Sequence, residues 1–210
     1  VTASDDAERS DEEERRRITD VAVLQGVRLK GRVSRADLAT TLGEDPGELI
    51  DDLIRSGMLL DGPLLRLTPE GRRRLDELLT AEREHLDQAA ISAAYKDFRA
   101  VNAEFKTLVT DWQVRDGQPN THDDSDYDAA VLARLDDVHQ RVTPIVAAVT
   151  TQLPRLGRYS AKLQTALDKV RAGETIWLSR PLIDSYHTVW FEFHEELIIA
   201  AGMTRETEDA

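Results

Sequence analysis

Hydrophobic residues recur at helical spacing along most of the chain. From Ile91 to Trp112 the apolar positions Ile91, Ala94, Phe98, Val101, Phe105, Leu108 and Trp112 alternate steps of three and four, the seam of a long amphipathic helix. A helix opening near Pro69 and running on to Trp112 forms one rod in this reading, ended by Gly117, Pro119 and Asn120. Val131, Leu135, Val138, Val142, Ile145 and Val149 make a second seam, with a kink expected at Pro144. Leu156, Tyr159, Leu163, Leu167 and Val170 make a third, stopped by Gly173. Pro181 is expected to open the last helix, whose apolar side is Leu182, Tyr186, Val189, Phe193, Leu197 and Ala200. Long helices joined by loops imply a bundle, and surplus apolar faces imply a homodimer.

The earlier third has a shorter rhythm and heavier punctuation. A helix from about Ile18 to Val27 has Ile18, Val21, Ala22 and Leu24 as its apolar positions, and Val33 supplies a short strand. Ser34 caps a second helix carrying Leu38, Ala39 and Leu42, which Gly43 ends. Asp45 caps a third with Pro46 at its first position and Gly57 after its end. Met58-Leu59-Leu60 and Leu64-Leu65-Arg66-Leu67 flank the turn Asp61-Gly62-Pro63, and Thr68-Pro69-Glu70-Gly71 restarts a helix. This run, Leu-Thr-Pro-Glu-Gly-Arg-Arg-Arg-Leu behind a hairpin, resembles the MarR family of winged-helix transcriptional regulators. Within the resemblance, DLATTLGEDPGELIDDLIRSGML is similar to the family's helix-turn-helix. The fold class expected is therefore mainly α: a winged helix-turn-helix with a small β-hairpin over 18–80, then a long-helix bundle over 81–210 for dimerisation and effector sensing. Residues 1–17, charged in blocks and nearly free of aliphatic side chains, read as a disordered tail.

Charge complicates the resemblance. The 210 residues carry a formal charge of −13, and every aromatic ring falls between Tyr95 and Phe193. DNA binding depends on cations that displace counterions. Yet the third helix, which the resemblance makes the reading helix, exposes Gly47, Glu48, Asp51 and Asp52, and the wing is only Asp61-Gly62-Pro63. Basic side chains gather instead at Arg28, Lys30, Arg32 and Arg35 with Ser34, at Arg72 to Arg74, and at Arg15 to Arg17. Arg28, Lys30, Arg32, Ser34, Arg35, Arg72 and Arg73 are the candidate DNA contacts, helped by the donors at the second helix's N-terminus. The other reading of the same arginines is that they are solvated or neutralise an acidic neighbour. Arginine far outnumbers lysine and alanine is abundant, which points to a GC-rich bacterial gene.

Other chemistry is sparse. With no cysteine there is neither a disulfide nor a thiolate metal site. Asp124, Asp126 and Asp128 alternate like a calcium loop, but Leu135 stands where the bidentate glutamate belongs, and a helix dipole explains the acids adequately. His187 and His194 lie two turns apart, too far to share a metal without help from elements carrying His139 or Glu195. Trp112, Tyr186, His187, Trp190 and His194 combine rings with polar groups and are the candidate effector site, the alternative being plain core packing. No nucleophile elbow, phosphate loop or dinucleotide fingerprint occurs, so no enzyme activity and no cofactor is expected. No apolar run is long enough to span a bilayer, giving a cytoplasmic, non-membrane expectation. The reading is a bacterial one-component regulator that binds DNA as a homodimer and senses a small molecule. Its rival is a winged-helix protein-interaction module that does not bind DNA, with the acidic third helix docked on a basic partner.

Overall fold

The computed structural model describes residues 19–203; the expected tail over 1–17, Ile18 and the arginines Arg15 to Arg17 lie outside the described residues. The chain is mainly helical and divides into two compact units, Val1–Ala81 and Glu82–Ala210. In the first, α1 (Asp20–Lys30), α2 (Arg35–Leu42) and α3 (Gly47–Arg55) precede the hairpin β1 (Leu59–Leu60) and β2 (Arg66–Leu67), and α4 (Pro69–Glu84) follows it. The hairpin is antiparallel with Leu59 opposite Leu67, and an antiparallel bridge from Val33 to Leu65 adds a third edge. Its buried hydrophobic residues are all aliphatic, with Val23, Leu24, Val27, Leu38, Ile50, Leu65 and Leu75 inaccessible to solvent, and Gln25 is buried as well.

Local chemistry explains these boundaries. Thr19 Oγ1 accepts from Ala22 N and opens α1 later than the apolar pattern suggests. Ser34 Oγ accepts from Asp37 N at 3.1 Å and caps α2, while Gly43 closes it in the left-handed region. Asp45 Oδ1 accepts from Gly47 N at 3.0 Å, so Asp45 still satisfies a donor although Pro46, one residue on, is the cap of α3. At α4, Thr68 Oγ1 accepts from Gly71 N at 2.9 Å and donates to the Gly57 carbonyl at 2.7 Å, tying the helix start to the turn before β1. Gly71 is needed there because a Cβ would stand 2.0 Å from the Met58 carbonyl oxygen.

The second unit holds α5 (Gln88–Gln113), the hairpin β3 (Val114–Arg115) and β4 (Gln118–Pro119), and α6 (Ser125–Gln152). A 3-10 turn (Pro154–Gly157), α7 (Arg158–Arg171), α8 (Ile176–Ser179) and α9 (Tyr186–Ala200) complete it. Its core joins α5, α6, α7 and α9 through rings and branched aliphatics such as Phe98, Phe105, Leu135, Val142, Tyr159, Leu163 and Phe193. Three expectations need correction. The rod from Pro69 to Trp112 is interrupted at His85–Asp87, because Asp87 Oδ1 accepts from both Ala89 N and Ala90 N and starts a new helix. Pro181 does not open the last helix; Ser185 does, its Oγ accepting from Thr188 N at 3.3 Å, and Leu182 sits fully exposed at φ +68° in the preceding loop. Residues 114–119 form a second hairpin, turned by Asp116 and Gly117 at φ +52° and +77°, as an Asp-Gly pair favours. α6 continues through Pro144. No helix among the described residues is long and apolar enough to cross a membrane.

The Gly71 contact gives a stability prediction. Gly71→Ala should destabilise the first unit by about 1–3 kcal/mol, the usual penalty for overpacking, because the neighbour is backbone and cannot rotate away. Chemical denaturation of the full chain, with Glu70→Ala alongside as an exposed control, measures it; equal midpoints for the two variants would contradict this geometry.

Candidate functional site

The third helix presents its acids to solvent, but two of the three are neutralised in place. Arg35, the first residue of α2, donates from Nη1 to Asp51 Oδ1 at 2.8 Å, and its Nη2 lies 3.7 Å from Asp61 Oδ1 in the hairpin turn. The hydrogen bond to Asp51 outweighs burial and raises the guanidinium pKa further, with the charges of Asp51 and Asp61 adding to it. Arg55 donates to Asp52 Oδ1 at 2.6 Å on the same helix. Glu48, also exposed, has no ion pair among the described residues. The face is therefore less negative than its sequence.

The candidate DNA contacts are divided by the same bookkeeping. Arg35 serves Asp51, and Arg73 bridges Glu70 and Glu77 along α4. Ser34 is committed to its cap, with Oγ donating to Asp37 Oδ2 at 2.7 Å. Arg28 donates to Gln25 Oε1 at 3.3 Å, and Lys30 stands with it in the last turn of α1. Arg32 and Arg72 are exposed and carry no ion pair among the described residues. With Arg28 they converge on a cleft of about 540 Å³ between the end of α1, the hairpin and α4. The cleft also includes Arg66, from the second strand of the hairpin and not among the candidate DNA contacts. The alternation was its signal: with Leu65 and Leu67 buried, Arg66 has to face the other way.

In the second unit the candidate effector residues separate. Tyr186, Trp190 and His194 are buried in the bundle. Trp190 lies 4.4 Å from Phe105 and 5.1 Å from Phe98 between ring centroids, and His194 lies 5.0 Å from Phe98. Trp190 Nε1 donates to Asn102 Oδ1 at 2.9 Å. Asn102 was legible in principle, since it is a polar residue on the stripe of Phe98 and Phe105, where an indole N–H needs an acceptor. His187 reaches the rim of the cluster, 5.9 Å from Phe105. Trp112 stands two turns further along α5, about 10 Å by helix rise, and packs on His122 at 4.3 Å instead. These rings contact one another rather than line the cleft described above.

No protein-family model, no curated protein and no solved structure matches this chain.

The remaining polar constellations are structural. Asp124 Oδ1 caps α6 by accepting from Tyr127 N, and Oδ2 takes Arg115 Nη1 at 2.9 Å; the backbone bond first and the arginine second hold its carboxyl below the usual range. Asp128 accepts from Asn120 and contacts His122. Among the described residues no group of three or more His, Cys, Asp or Glu side chains could hold a metal ion. His139 shares hydrogen bonds with Tyr186 Oη and Gln164 Oε1, both at 3.1 Å.

Burial lowers the pKa of both His139 and His187, and Gln164 and the nearby carboxylates only partly offset it at His139. A histidine whose folded pKa lies below its unfolded value near 6.5 takes up protons on unfolding, so stability falls as pH drops through that value towards the folded pKa. The melting temperature of the full chain should therefore decline between pH 7.5 and pH 5. The double variant His139→Gln, His187→Gln should show a flatter profile by differential scanning fluorimetry; parallel profiles would assign the slope to other groups.

Proposed function

We propose that the first unit is a winged helix-turn-helix and that the chain is a DNA-binding transcriptional regulator of MarR-like type. The observation that carries this reading is the order helix, strand, helix, helix, hairpin, helix, in which Val33 bridges Leu65 so that the short strand joins the hairpin. The acidic third helix is compatible with it. Asp51 and Asp52 are neutralised by Arg35 and Arg55, and Glu48 remains as an acceptor suited to a cytosine amino group. Positive charge for phosphates comes from Arg32, Arg66 and Arg72 beside the hairpin, not from Arg35 or Arg73. The helical unit acts as the dimerisation body in this reading.

One observation favours the rival, a protein-docking winged helix: α3 itself keeps no cation outside its own ion pairs. Fluorescence anisotropy of the full chain against its own upstream DNA and a scrambled duplex, at two salt concentrations, separates the two. Under the regulator reading the upstream DNA binds better, and affinity falls steeply with salt. Arg32→Ala with Arg66→Ala should lower affinity and reduce the salt slope by about 2, roughly one per phosphate contact. Asp51→Asn, by releasing Arg35, should strengthen binding at low salt. Absence of binding at low salt would leave the docking module.

A further inference from the structure

The cleft of the first unit has the form of a small-molecule site. Its volume of about 540 Å³ falls within the range of ligand pockets, roughly 300–1,000 Å³. Four guanidinium-bearing residues, Arg28, Arg32, Arg66 and Arg72, face one carboxylate, Asp76, across it. This local excess stands out in a chain of net charge −13, where many arginines are engaged by acids. Arg32, Arg66 and Arg72 have no ion pair among the described residues, so an anion from outside would meet three such donors against the single carboxylate of Asp76.

The floor narrows the class of anion. Val27, Leu67 and Leu75 close the base of the cleft from the core side, and Leu60, 46% exposed, is the apolar side chain that opens to it. A ligand that fits therefore pairs an apolar body with a compact, multiply charged head. Guanidinium groups bind phosphate and carboxylate in forked geometry, but three uncommitted forks match the oxygens and double charge of a phosphate monoester better than one carboxylate. A duplex presents the same chemistry as singly charged diesters on a convex backbone, which would touch the arginines without filling the cleft.

We propose that this cleft binds a small organic phosphate, a phosphate monoester with an apolar body, through Arg32, Arg66 and Arg72. The site lies within the first unit, away from the aromatic cluster of the second, and it stands whether or not the chain binds DNA. Isothermal titration of the full chain at pH 7.5 with phenyl phosphate, inorganic phosphate, benzoate and a short scrambled duplex tests it. Phenyl phosphate should bind saturably at one site and more tightly than inorganic phosphate or benzoate, since neither supplies both the body and the double charge. Arg66→Gln and Arg72→Gln should each weaken it about ten-fold, a normal loss for a charge-assisted hydrogen bond. Arg55→Gln, on α3, should leave it unchanged, and circular dichroism establishes that each variant is folded; these are exposed side chains. No saturable binding of phenyl phosphate, unchanged affinity in both cleft variants, or binding by the duplex alone would overturn the assignment.

Discussion

The last helix, α9, is buried on nearly every face, and its polar residues can be buried only if their partners come with them. Tyr186, Val189, Trp190, Glu192, Phe193, His194, Glu196, Leu197 and Ile198 are all withdrawn from solvent. Glu196 is the extreme case, its side chain fully buried with Arg155 Nη1 at 2.7 Å and Arg158 Nη2 at 3.4 Å. Arg155 also grips Glu82 through Nε and Nη2 at 2.9 and 2.8 Å. Burial opposes the charge of Arg155, but Glu196 and Glu82 more than compensate and push its pKa up. A buried ion pair of this kind adds little net stability, yet loss of one partner strands the other at a cost of about 3–5 kcal/mol. The network therefore acts as a positional lock: it fixes the 3-10 turn, the start of α7 and the residues around Glu82 against α9.

The same requirement shapes the aromatic cluster. Trp190 brings a ring for Phe98 and Phe105 and an N–H for Asn102, and Tyr186 brings a ring for Phe105 and a hydroxyl for His139. Burial raises the Tyr186 pKa, keeping that hydroxyl neutral and able to donate. Rings and polar groups that resemble a binding pocket when read along one helix thus satisfy each other once neighbouring helices are present.

The allocation of arginine links architecture to function. In an acidic chain each arginine is drawn to a carboxylate, and Arg35, Arg55, Arg73, Arg141 and Arg171 have found theirs. Arg32, Arg66 and Arg72 have no ion pair among the described residues, and they stand on three separate segments at the cleft: after α1, in β2 and in α4. Exposed ion pairs contribute little to stability. Their consequence here is electrostatic: they make α3 less negative, leaving Glu48 as its acid without an ion pair among the described residues.

Much of the helical framework was legible in the chain itself. The three-four spacing through Phe98 and Phe105, the Ser34 cap, the glycines at 43 and 57 and the Thr-Pro-Glu-Gly restart each encode a local backbone demand, which neighbouring residues satisfy without distant help. Where two local signals competed, sequence alone misjudged the winner: Asp87 ended a helix that apolar spacing would have continued, and Ser185 displaced Pro181 as a start. What only the tertiary structure decided was pairing at a distance. Whether Arg35 meets Asp51 or a phosphate, whether Trp190 lines a pocket or meets Asn102, and whether Arg66 joins Arg32 and Arg72 depend on how separate segments are brought together. Periodicity records which face of an element is buried; it holds no record of which residue waits on the other side, because that is set by packing rather than by the backbone's local preference.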